Sequence, residues 1–222
     1  MRVHRKTSCT RPGPYVAGVA LVFAVTATSL AGGALEQVRA STEEVLGIVQ
    51  DPELKDREAE REKRACQAID RRFDWRVMAR GAMGPGWRDL TPKQADTFTH
   101  TFADLIKAAY MDTVMSYTGE KIEYVAERVD GKYGVVKTEL ITRKGTRIPV
   151  DYRVLKKDKK WLIYDVIVEG VSMVNNYRKQ ISSIMIRSKF DELIEKIKEK
   201  TEQRRKAREE KKPDRGSRKE DE

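Results

Sequence analysis

Asp165 is the lone charge in the apolar run from Trp161 to Val168. A carboxylate in such a strand must be held neutral or be satisfied by partners. Two partners suggest two kinds of chemistry. With His100, the only histidine after His4, Asp165 can perform general acid/base work at the base of a cone-shaped cavity. With Arg178, on the helix that follows the strand, it can form an ion pair fixing helix to sheet, and this structural reading is favoured. His100 sits two residues off the Phe98 and Phe102 face, so it is expected to point to solvent. Ser172 follows Gly170 where a helix opens. Its hydroxyl is expected to cap that helix through the Asn175 amide rather than to act as a nucleophile.

Other catalytic and metal-binding patterns are missing. The chain has no G-x-S-x-G elbow, no phosphate-binding glycine loop and no H-E-x-x-H pair. Two cysteines, Cys9 and Cys66, and two histidines support neither a disulfide framework nor a histidine-rich metal site. Cys66 is expected to pack as a small hydrophobe. No enzyme, no cofactor and no metal is therefore expected.

The first residues read as an address. Arg2, Arg5, Lys6 and Arg11 precede an uncharged run from Tyr15 to Ala31, followed by small residues through Ala34. This is the layout of a signal peptide over residues 1–34, with cleavage expected after Ala31 or Ala34; the competing reading is an uncleaved anchor. Removing it takes four basic residues and lowers the net charge from +10 to +6. More of the excess lies in the charged tail, residues 201–222, which is too polar to bury a core and is expected to be disordered. The centre is nearly balanced, and no nucleic-acid role is expected.

Between address and tail, the periodicity changes once. Leu35 to Gln50 repeats apolar residues at helical spacing and stops at Asp51-Pro52; a second, mostly charged helix is expected from Glu53 to about Ile69. Asp74 caps a short helix that ends in the glycine-rich stretch Gly81 to Trp87. Thr91, Pro92 and Gln94 announce a long helix with a capping box, striped by Phe98, Phe102, Leu105, Ile106, Ala109, Tyr110, Val114 and Tyr117. From Lys121 the period falls to two. Turns at Asp130-Gly131, Lys144-Gly145 and Lys157-Asp158 divide an antiparallel meander of about four strands. The fourth strand is apolar on both parities apart from Asp165, so it is expected to be covered on both faces, by helices and by a lumen. A last helix carries Val174, Tyr177, Ile181, Ile184, Met185, Leu193, Ile194 and Ile197 on its inner side. The 222 residues suit a single domain over 35–200.

The run WLIYDVIVEGVSMVNNYRKQ, Trp161 to Gln180, with Met78 to Gly84, Trp87, Thr91, Gln94, Phe98 and Tyr110 upstream, resembles the MlaC (toluene-tolerance) family of periplasmic phospholipid carriers. The likeness spans about Leu35 to Lys200; the acid-rich second helix and the long tail depart from a compact member. The resemblance implies an exported α+β protein with an NTF2-like curved antiparallel sheet and helices around an apolar lipid cavity. It also implies lipid exchange with an inner-membrane transporter bearing MCE domains and with an outer-membrane lipoprotein complex. A hopanoid-associated lipid-binding protein and an NTF2-like isomerase or hydratase using Asp165 and His100 are the alternatives. For the cavity wall, the inward strand parity nominates Tyr124, Val136, Leu140, Val150 and Tyr152, with Leu162 and Tyr164 from the fourth strand. Phe102, Leu105 and Ile181 are expected to close it from the helices.

Overall fold

Caps and turns supplied by the local residues set the boundaries of each element. The computed structural model describes residues 33–210; the basic residues, the apolar run and the Ala31 cut of the expected address lie outside these. Helix α1 spans Ala34–Gln50, α2 Glu58–Asp70, α3 Trp75–Met83 and α4 Pro92–Met115. Four strands follow, β1 Lys121–Asp130, β2 Tyr133–Ile141, β3 Arg147–Lys157 and β4 Lys160–Val168, then a two-residue β5, Val171–Ser172. Helices α5, Met173–Met185, and α6, Phe190–Glu210, end the described chain. Thr91 and Gln94 form the expected capping box of α4, and the Asp74 side chain accepts from the Val77 amide at the start of α3.

The five strands pair antiparallel in sequence order as one open sheet. Thr138 faces Val150 and Val136 faces Tyr152 across β2 and β3. Register shifts at Tyr124/Ala126 and Arg153/Val154 insert bulges, which sharpen twist and bend the sheet. Asp158 and Lys159, both at positive φ, make the tight β3–β4 turn, and Glu169 with Gly170 does the same before β5.

Apolar side chains collect in two cores. The larger joins α3, α4, α5 and α6 around Met78, Phe98, Phe102, Leu105, Tyr177, Ile181 and Leu193. The smaller lies between α1 and the sheet, from Ala34 and Val38 to Val136, Val154, Trp161, Ile163 and Val166. Strand β4 is thus covered on both sides, as its apolar parities require.

Three boundaries differ from expectation. Pro52 starts only a short 3-10 turn, Pro52–Leu54, pinned by buried Leu54, and α2 opens at Glu58 instead of Glu53. The last helix is two: α5 packs on α3 and β4 whereas α6 lies along α4, and one straight rod cannot follow both directions. Helix α6 also continues ten residues past Lys200, because Thr201 is buried and Arg208 pairs with Glu62 of α2 and Asp112 of α4.

Candidate functional site

Helix α1 carries one stripe, Val38, Ser41, Thr42, Val45, Leu46 and Val49, at helical spacing. Its first part presses Val38 onto the sheet. Its second part turns two small residues, Ser41 and Thr42, toward the sheet and leaves a gap. The result is a partly open cavity of about 270 Å³. Ser41, Thr42, Val45 and Leu46 form one wall, and Thr138, Leu140, Val150, Tyr152 and Ile163 form the sheet wall. Ile69, Arg72 and Phe73 after α2, Thr113, Val114 and Tyr117 at the end of α4, and Ile122 of β1 complete it.

Several lining residues carry hydroxyls, yet the surface they present is apolar. Ser41 donates to the Gln37 carbonyl and Thr42 to the Val38 carbonyl at 2.9 Å, both inside α1. Thr138 donates to the Val150 carbonyl at 2.6 Å, and Tyr117 to the Glu120 carbonyl at 2.6 Å. With their protons spent on the backbone, these side chains turn carbon toward the space. Burial pushes the Tyr152 phenol up to about 12, with the neighbouring Tyr124 adding to the shift and the Thr42 hydroxyl opposing it. Among the described residues, Arg72 is the only one of the lining with a formal charge.

The structure separates the residues nominated from sequence. Leu140, Val150 and Tyr152 border the cavity. Val136, fully buried, faces the same way but is covered by α1, and Tyr124 packs beside it with the Arg39 guanidinium 4.7 Å from its ring centre. Phe102, Leu105 and Ile181 belong to the helical core, so the helical wall comes from α1 and the end of α4 instead. Leu162 and Tyr164 lie on the wrong parity: Ile163 pairs with Val154 and faces α1, and Tyr164 packs against the helical core. One residue of slip in a strand exchanges its faces. The signal missed was the α1 stripe, whose middle positions are small.

Asp165 finds a partner other than Arg178. Its carboxylate, 2% exposed, accepts from Arg153 Nη1 at 3.1 Å, Ser172 Oγ at 2.6 Å and the Val174 amide at 3.0 Å. Arg153 stands opposite it in the β3–β4 register, whereas Arg178 points to α3 and donates Nε to the Gly81 carbonyl at 2.6 Å. Ser172 accepts from the Asn175 amide at 3.1 Å, the expected cap. Both carboxylate oxygens are therefore occupied in holding α5 to β4. His100 is exposed on α4 and is not among these partners. Cys66 is half-buried, and burial pushes its thiol up, away from reactivity.

Among the described residues no group of three or more His, Cys, Asp or Glu side chains is placed to hold a metal, and no helix is long and apolar enough to cross a membrane.

Comparison with known proteins places this architecture. The family model described as MlaC protein matches residues 39–199. The chain is 25% identical over 126 residues to the intermembrane phospholipid transport system binding protein MlaC of Haemophilus influenzae, covering 54% of this chain and 59% of that protein. It is 27% identical over 105 residues to the toluene tolerance protein ttg2D of Pseudomonas putida, covering 47% and 49%. The chain thus spans about half the length of these curated relatives. Among solved structures, a phospholipid-binding protein from Ralstonia solanacearum, in complex with a phospholipid, superposes with a TM-score of 0.71 at 24% identity, covering 78% of this chain and 99% of that one. That likeness establishes the shared fold.

Proposed function

The chain belongs to the MlaC family, and from that premise we propose that it is an exported carrier that shelters the acyl chains of a phospholipid in the cavity between α1 and the sheet. One observation carries the reading: a partly open cavity at which the Ser41, Thr42, Tyr117 and Thr138 hydroxyls are tied to the backbone, leaving a mostly apolar wall that rewards methylene groups and offers water little. The name of the Haemophilus relative and the ligand of the Ralstonia protein support the same ligand class.

The energetics define what such a carrier does. Burying the roughly 28 methylenes of a two-chain lipid at ~0.8 kcal/mol each is worth on the order of 20 kcal/mol relative to water. Free lipid in water is then negligible. A bilayer supplies the same term, so it nearly cancels in transfer, and direction comes from partners. We assign those roles to an inner-membrane transporter with MCE domains and an outer-membrane lipoprotein complex. The cavity, about 270 Å³, falls below the ~300–1,000 Å³ usual for ligand sites, so loading a two-chain lipid has to widen it.

Export is part of the proposal. Of the two expected cuts, the one after Ala31 leaves α1 whole, since Ala34 is 0% exposed and begins that helix.

Native mass spectrometry of the mature protein purified from a bacterial periplasm tests the reading. We expect one phospholipid mass per chain. A protein that arrives empty and stays empty after incubation with phospholipid vesicles would overturn it.

A further inference from the structure

We propose that Arg72 is the head-group anchor of the cavity and binds the phosphodiester of the lipid; this rests on the carrier reading above and adds its specificity. Two guanidiniums share one carboxylate at the edge of the cavity. Arg71 takes Glu44 Oε1, and Arg72 Nη2 is left 3.8 Å from Oε2, beyond hydrogen-bond reach. The three residues together therefore keep one positive charge. Arg72 Nε is buried and meets no acceptor among the described residues. A buried donor left unpaired is costly, so the Arg72 side chain gains by turning its guanidinium from this covered position toward an oxyanion in the cavity.

The position is rigid as well as charged. The Ile163 amide donates to the Arg72 carbonyl at 2.8 Å, and the Asp74 amide donates to the Ile163 carbonyl at 2.8 Å, clamping residues 72–74 to β4. The clamp fixes the backbone from which the Arg72 side chain reaches, and a planar guanidinium is suited to two oxygens of a phosphodiester. Two other arginines also have an unpaired Nε, but neither borders the cavity. Arg39 lies over the Tyr124 ring, and Arg61 donates to the Val49 carbonyl. A neutral glyceride with the same tails would gain the apolar wall and lose this contact. The site therefore selects tails that end in an anionic oxygen.

Displacement of a fluorescent-tailed phosphatidylcholine from the full mature chain tests this, using phosphatidylglycerol, a diacylglycerol of the same chains, and inorganic phosphate as competitors. The wild type is expected to favour phosphatidylglycerol over diacylglycerol by roughly tenfold, the size of one charge-assisted contact. Arg72→Gln should bring that ratio close to one while diacylglycerol affinity holds. Glu44→Gln, which removes the one carboxylate near Arg72 among the described residues, should raise the ratio and serves as the second variant if Arg72→Gln fails to fold by circular dichroism. Inorganic phosphate alone should displace nothing.

An unchanged ratio in Arg72→Gln, or no rise in Glu44→Gln, overturns the assignment while leaving the carrier reading in place. Displacement by inorganic phosphate alone also overturns it, because the site would then serve a free anion. A wild-type chain that binds neither the probe nor either lipid defeats the carrier reading itself, and the assignment with it.

Discussion

Ser172 donates its hydroxyl to the Asp165 carboxylate at 2.6 Å, and its own oxygen accepts the Asn175 amide that opens α5. Strand and helix are thus joined through this serine and, directly, through the Val174 amide that Asp165 also accepts. Asp165→Asn keeps the shape but removes the charge that Ser172, Val174 and Arg153 converge on. We expect a loss of about 3 kcal/mol in denaturant unfolding with full lipid loading, since Asp165 does not border the cavity. Unchanged stability with altered lipid release would assign Asp165 a functional role.

Leu140 and Phe102 should respond in opposite ways. Leu140→Arg places a cation among the apolar lining of the sheet wall and is expected to abolish lipid co-purification. Phe102→Ala empties a fully buried site in the helical core, costing about 3–5 kcal/mol, but the protein that remains folded should carry lipid at the wild-type stoichiometry. Mass spectrometry beside thermal unfolding checks both.

Tyr152 sets a limit on alkaline stability. Its phenol is held protonated to about 12 in the fold against an ordinary value of 10.0. Below pH 10 the preference for the neutral form contributes fully. Between pH 10 and about 12 the unfolded chain releases a proton that the folded chain retains, so stability falls as pH rises, by about 2–3 kcal/mol in total. Tyrosinate absorbance should show a late-titrating phase that Tyr152→Phe removes, and that variant should lose less stability over the same pH interval.

Arg208 straps α6 to α2 and α4 through Glu62 and Asp112, with its side chain only 13% exposed. Arg208→Ala should therefore lower stability by about 1–3 kcal/mol. Truncation after Lys200 should lower it further, because buried Thr201 is lost too. A truncated protein with the wild-type melting temperature would show that the core closes before Thr201.

Local signals settled the outline of the molecule. The Thr91-Pro92-Gln94 box, the Asp74 cap, the turn residues between strands and the change from helical to strand period each act within a few positions, so they survive without knowledge of what packs where. The same holds for Ser172, whose cap partner lies three residues away.

What required the tertiary structure was every choice between equivalent neighbours. Arg153 and Arg178 are both near Asp165 in sequence, but the β3–β4 register sets Arg153 opposite it while α5 carries Arg178 to Gly81. Ile163 and Tyr164 are both apolar, and only the bulge decides which faces α1. The stripe of α4 was wide enough to line a cavity, yet Phe102 and Leu105 fill the space between helices. The cavity opens where α1 presents Ser41 and Thr42 to the sheet. A gap is made by what two surfaces fail to fill together, and periodicity along one strand or helix describes only one of those surfaces.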